Sequence, residues 1–269
     1  MAKQLRRATR PYQYLLASAL VGIPVAAMVG ARGSVQFENN ASVFALGFSS
    51  PALILTPVVL VLLSCLRFDQ ELSHRYSSTI RIREGARSYL ARTLVRAAGA
   101  AFVTGFLLVA VSGIVAFWLW PLVGDPGVDF ATYFPSDTPV TAAAVAEYSY
   151  HQLTYSFLLR YGWPAFVGAL AIGTGVGGAA FAVAGVTALL VVRNRILALA
   201  APFLISFLET LVAALAGHPE YGLQYSFFPT GLATQLPLVG LAPMGLFTLA
   251  TAGAVAILLV RAPTLERLS

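Results

Sequence analysis

The sequence predicts an all-α, polytopic membrane protein with six transmembrane helices, and three observations carry that reading. Of 269 residues, 58% are hydrophobic and only 10% are charged, whereas soluble domains carry about a quarter charged residues. Six apolar segments approach or exceed the ~18 to 20 residues that cross a hydrocarbon core of about 30 Å. Their predicted limits are about 12–30, 43–66, 97–122, 163–192, 196–216 and 238–260 within a single transmembrane domain, 1–269. The third observation is where the basic residues fall relative to these runs. Fifteen of the 17 Lys and Arg but only four of the 11 acids lie on the side of the termini, which leaves net +11 there and −5 on the other side. Cytoplasmic loops accumulate Lys and Arg, so both termini are expected in the cytoplasm and the chain in the cell membrane. The net charge of +6 therefore reports topology and an anionic bilayer surface rather than a nucleic-acid partner.

Before the first span, Lys3, Arg6, Arg7 and Arg10 form a basic leader, and Val29-Gly30-Ala31 resembles a small-residue cleavage site. The apolar run exceeds a signal-peptide core, so an uncleaved anchor is expected. Its removal would leave five spans and an external N-terminus.

The connection between spans two and three is the densest polar stretch, RFDQELSHRYSSTIRIREGARSYLARTLVR from Arg67 to Arg96. Leu72, Tyr76 and Ile80 recur every four residues, which predicts a helix over about 69–84 with these three on one face, lying along the inner membrane surface. Asp69 and Glu71 follow the span directly, and Ser77-Ser78-Thr79 falls in mid-helix.

Trp118 and Trp120 close span three, and Tyr161 and Trp163 open span four, aromatic residues suited to one interfacial depth. Between them lies a Gly/Pro/Asp loop, GDPGVDFATYFPSDTP, then Thr138-Pro139 as an N-cap and first helical residue. An outer helix over about 139–160 is predicted, with Tyr148, Gln152 and Tyr155 near one face. Span four is rich in small residues: Gly173 and Gly177, and Gly178 and Ala182, are spaced for close helix approach, which fits packing within the chain or against a second copy. After span five, Pro219, Pro229, Pro237 and Pro243 interrupt regular helix. Tyr221, Tyr225, Phe227 and Phe228 make this segment too apolar for a solvated loop. An outer re-entrant segment over about 217–240 is expected, since irregular backbone at membrane depth must be buried in protein or line a cavity.

Several chemistries find no motif. Lys3 is the only lysine, so no phosphate-binding GxxxxGK[ST] loop exists. HExxH is absent, and His74, His151 and His218 stand apart from acidic or Cys ligands in sequence. No aspartate falls inside a span. Cys65, the single cysteine, reads as an apolar filler. The chain is therefore expected not to be an enzyme, and any ATP-dependent work needs another chain to bind the nucleotide.

Glu71, Ser78-Thr79 and Arg87-Ser88-Tyr89-Leu90-Ala91-Arg92, with the six-span layout, resemble the ABC-2 type permeases, the membrane subunits of ATP-binding-cassette exporters of type V-like architecture. The family's proline before its conserved basic residue is absent here, Glu84-Gly85-Ala86 standing in its place. The resemblance implies that Glu71, Arg75, Ser78, Thr79, Arg81 and Arg83 form a coupling helix that docks an ATPase subunit. It also implies two such subunits with their own ATP and Mg, a second permease chain, identical or not, and a bacterial cell membrane. The path would suit a lipid-like molecule, a peptide or a hydrophobic drug. A proton- or ion-coupled secondary transporter and a non-transporting scaffold are the alternatives.

Glu209 is the one acid well inside a span, about 21 Å of helix rise beyond Arg195 and so in the outer half. A carboxylate there is costly and faces a cavity or a partner. With Ser206 and Thr210 it is expected to line the path or a subunit interface, or else to be a hydrogen-bonded packing residue. The resemblance favours the interface, because helix five of the family lies between the two permease chains.

Overall fold

A computed structural model describes residues 2–73, 85–122, 141–153, 155–227 and 237–261. Among these, every regular element is helical. Helix α1 (Ala2–Ala31) is followed by a short buried helix α2 (Asn40–Phe48), then by α3 (Thr56–Ser73), α4 (Ala86–Ile114), α5 (Ala142–Gln152), α6 (Trp163–Val191), α7 (Arg195–Leu215), α8 (Leu223–Phe227) and α9 (Pro237–Arg261). Six segments are long and apolar enough to cross a membrane: Tyr12–Ala31, Pro51–Leu72, Ala86–Leu122, Trp163–Val191, Arg195–Leu215 and Gly240–Arg261.

Two spans depart from the expected limits. The second begins at Pro51, not near 43, because residues 43–48 belong to α2, a separate helix. Ser50 is extended, as a residue before proline tends to be, and Pro51 opens a 3-10 turn that leads into α3. The third span begins at Ala86, eleven residues before the apolar run starts. Its arginine-bearing first turns stay helical because Tyr89, Leu90 and Leu94 are buried against the bundle. Near its far end the helix takes a wide turn over Val115–Leu119 before finishing at Leu122. There Phe117 stacks on Trp163 with ring centroids 6.1 Å apart.

Helix α6 is the centre of the bundle. In its most apolar stretch 61% of residues are buried, against 17% in α1 and α7, so the outer helices present their apolar faces to lipid or to a partner. Lipid tails are as apolar as Leu, and helices associate in the bilayer through tight van der Waals contact rather than expulsion of water. Glycine supplies that contact here. A Cβ on Gly105 of α4 would lie 2.9 Å from the Thr174 carbonyl oxygen, and one on Gly178 would lie 3.0 Å from the Ala101 carbonyl oxygen. Gly113 meets Val167 in the same way, and Gly175 meets the Phe102 ring. Of the small residues of span four, Gly175, Gly177, Gly178 and Gly185 are thus spent within the chain. Gly177 accepts Phe227 and Met244, Gly178 accepts α4, and Gly173 has open space above it. Cys65 is buried, and its thiol donates to the Ala182 carbonyl at 3.4 Å, consistent with a packing role.

Substituting Gly105→Ala pushes a methyl group onto backbone that cannot rotate away. It is expected to destabilise the bundle by about 1–3 kcal/mol, read as a lower thermal midpoint in detergent micelles. Gly99→Ala, where an added Cβ meets nothing within 4 Å, leaves the midpoint unchanged.

Candidate functional sites at the two ends of the bundle

At the end where α3 finishes and α4 and α7 begin, charged side chains tie four helices together. Arg67 and Glu71 pair one turn apart on α3, Nε to Oε1 at 2.9 Å. The Tyr89 hydroxyl of α4 donates to the other oxygen of Glu71 at 2.7 Å, and the Tyr89 ring lies 6.3 Å from that of Phe68. Asp69 of α3 faces Arg195, the first residue of α7, with Oδ1 to Nε at 3.6 Å. Arg87 of α4 reaches the Val260 carbonyl near the end of α9 at 3.4 Å. Both oxygens of Glu71 are therefore engaged by its own chain, and its side chain is 22% exposed. Of the coupling-helix residues expected from sequence, only Glu71 is among the described residues. Arg75, Ser78, Thr79, Arg81 and Arg83 lie outside them.

The collar around Glu71 adds polar ties to the apolar contacts that Phe68, Tyr89, Leu90 and Leu94 make at this end. Hydrogen bonds to a charged group contribute about 1.5–3 kcal/mol when well shielded, less at a partly exposed site. Asp69 does less well: its Oδ1 is shielded from solvent yet has no hydrogen bond, because 3.6 Å is an ion-pair distance rather than a hydrogen-bond one.

At the opposite end, Glu209, Thr210 and Ser206 of α7 meet the connection to α9. The Leu223 amide donates to Glu209 Oε2 at 2.7 Å, and the Gln224 amide donates to Thr210 Oγ1 at 3.2 Å. The Thr210 hydroxyl in turn donates to Glu209 Oε2 at 3.3 Å. Two free amides at the start of α8 are thus capped by side chains from another helix. From α6, the Thr174 hydroxyl donates to the Phe227 carbonyl at 3.2 Å, at the far end of α8. Ser206 is fully buried and its hydroxyl has no partner. The expected trio is placed together, with Glu209 and Thr210 in hydrogen bonds. Glu209 remains exposed on the outer face of α7 beside Ile205, Leu208 and Val212.

The same end carries a second network that the sequence reading did not anticipate. Asn39 caps α2, its Oδ1 accepting from the Ser42 amide at 2.9 Å. Its Nδ2 donates to Ser149 Oγ at 2.9 Å and to Gln152 Oε1 at 2.8 Å on α5. Gln152 Nε2 donates to Glu38 Oε2 at 2.9 Å and to Ser42 Oγ at 2.6 Å, which fastens α5 to the entry of α2. Helix α5 is shorter than the predicted 139–160. Thr141 is its N-cap, whereas Thr138 and Pro139 lie outside the described residues, and the helix ends at Gln152. Tyr155 leaves it with a φ of 67°, so it does not continue the face of Tyr148 and Gln152. On the exposed side of α5, His151, then Arg160, hold the Glu147 carboxyl below its ordinary range. Burial and the nearby Glu38 push the Tyr148 phenol up. An Asn before a helix start was a legible capping signal, but its partner one hundred and more residues away was not.

No grouping of His, Cys, Asp and Glu able to hold a metal occurs among the described residues. The fold defines a multi-pass membrane protein of six apolar helices. Comparison with protein-family models, with curated proteins and with solved structures finds no match to this chain.

Tyr89→Phe removes the donor to Glu71 and is expected to cost about 1 kcal/mol. In a Glu71→Ala background, which leaves no acceptor, the same change costs much less, and thermal unfolding of the four variants reads this coupling as a double-mutant cycle.

Proposed function

We propose that the chain is the membrane-spanning permease subunit of an ATP-driven exporter. In this reading the connection between α3 and α4 docks a separate ATPase subunit on the cytoplasmic side, and two permease chains enclose a path for a hydrophobic or amphipathic substrate. The observation that carries the reading is the collar around Glu71. The polar connection leaves α3 beside Asp69 and Glu71 and enters α4 beside Arg87 and Tyr89, and these residues bond to α3, α4, α7 and α9. A push on this connection is therefore delivered to four helices at once, as a transporter driven from outside the bilayer requires. The one-sided arginines support a cytoplasmic position for it.

In the exporter, ATP and Mg are held by the partner. This chain supplies the docking element (Glu71, Arg75, Ser78, Thr79, Arg81, Arg83), the path and its outer closure. The exposed face of α7 around Glu209 is where a second permease chain packs. A carboxylate left against lipid is expensive, and covering it offsets that cost. Glu209 is less suited to the secondary-transport alternative, because its oxygen is committed to the Leu223 amide at 2.7 Å.

The test is purification from the native membrane. The exporter reading expects a stoichiometric protein with Walker motifs to accompany the chain, and Thr79→Arg to reduce that association tenfold or more. Glu71→Arg is expected to do the same, but it also breaks the collar, so Thr79→Arg is the decisive variant. ATPase retained by both variants would sink the docking assignment. Proton-dependent uptake without an ATPase would favour the secondary carrier, and neither activity would leave a scaffold.

A further inference from the structure

Helix α8 is five residues long, far too short to be stable alone, and its position is dictated by its neighbours. Its first amides are held by Glu209 and Thr210 of α7. Its last carbonyl is held by Thr174 of α6, and Phe227 enters the notch above Gly177, edge-on to Phe181 at 5.6 Å. The carboxylate–amide bond at 2.7 Å is charge-assisted and the stronger of the polar holds. Yet the seated arrangement is not fully satisfied. Ser206 Oγ on α7, and Gln224 Nε2 and Ser226 Oγ on α8, are all shielded from solvent without a hydrogen bond. Shielded polar atoms without partners are rare in settled structures and disfavour the arrangement that shields them. Three such atoms lie on one helix and the segment seated against it.

We propose that Leu223–Phe227 is a lid at the outer end of the bundle, latched shut by Glu209 and Thr210, and that release of the latch opens Gln224 and Ser226 to solvent. Glu209 acts as a positioning residue. Its carboxylate holds the lid through backbone amides, so the hold depends on an oxygen acceptor at that place and not on the identity of the residues in the lid. The apolar seat of Phe227 closes the lid from the other side, and the latch decides whether that seat is occupied.

The lid can be read without an ATPase or a substrate, so the outcome is independent of the exporter reading. Ser226→Cys in a Cys65→Ala background, purified in lipid nanodiscs, reports the lid by its rate of reaction with a polar maleimide. With Glu209 present the rate is expected to be at least tenfold below that of Tyr221→Cys, an exposed control position. Glu209→Ala is expected to raise the Ser226→Cys rate tenfold or more, while Glu209→Gln, which keeps an oxygen acceptor, restores most of the protection. The proposal is overturned if Glu209→Ala leaves the rate unchanged, or if Ser226→Cys already reacts as fast as the control. It is equally overturned if Glu209→Ala, made separately in the chain that keeps Cys65 as its one cysteine, raises labelling of that buried thiol by the same factor, since the whole bundle has then loosened.

Discussion

The close approach of α4 and α6 is the constraint on which the rest of the structure depends. Gly105 against the Thr174 carbonyl, and Gly178 against the Ala101 carbonyl, bring two backbones to a distance that no side chain permits. Inside a bilayer no hydrophobic force drives helices together, so the density of such contacts decides which helix becomes the core. Around α6, α3 packs through Val61 and Cys65 over Gly185, and the lid packs through Phe227 over Gly177. Helices α1, α7 and α9 then form the rim, with most of their apolar surface turned outward.

Because the middle of the bundle is apolar and nearly featureless, its polar organisation is concentrated at the two ends. At one end Arg67, Glu71, Tyr89, Asp69 and Arg195 join helix termini through side chains. At the other, Glu209 and Thr210 hold α8, and Asn39 and Gln152 fasten α5 to α2. Glu71 and Glu209 are each used as hydrogen-bond acceptors for their own chain. Their arrangement joins the helix termini at each end through polar bonds, while the middle is held by close glycine-lined van der Waals contact.

Much of the fold was legible because hydropathy is summed residue by residue and needs no knowledge of partners. Six apolar spans emerge from it. The displaced starts of spans two and three show where this fails. Hydropathy reads through Ser49-Ser50-Pro51 because those residues are only mildly polar, although a proline after an extended residue marks the break. It stops at Arg96 because arginine is penalised wherever it stands, although a helix continues if its other face is buried, as Tyr89, Leu90 and Leu94 are. Gly173 shows the same limit at finer scale. Spacing placed it with Gly177, but only packing decided that Gly177 receives a neighbour and Gly173 does not.

By itself, the sequence determined that the chain is a membrane protein, how many helices are long and apolar enough to cross, which end is basic and that Glu209 lies well within an apolar helix. These follow from transfer free energies and charge, properties each residue carries with it. Only the tertiary structure decided that Glu71 belongs to Arg67 and Tyr89, that Glu209 belongs to the amides of Leu223 and Gln224, and that Gln152 belongs to Asn39. A hydrogen bond is satisfied within about 3 Å. Which donor arrives at that distance depends on how glycine-lined helices settle against one another, a choice made by the whole bundle and by no local stretch of chain.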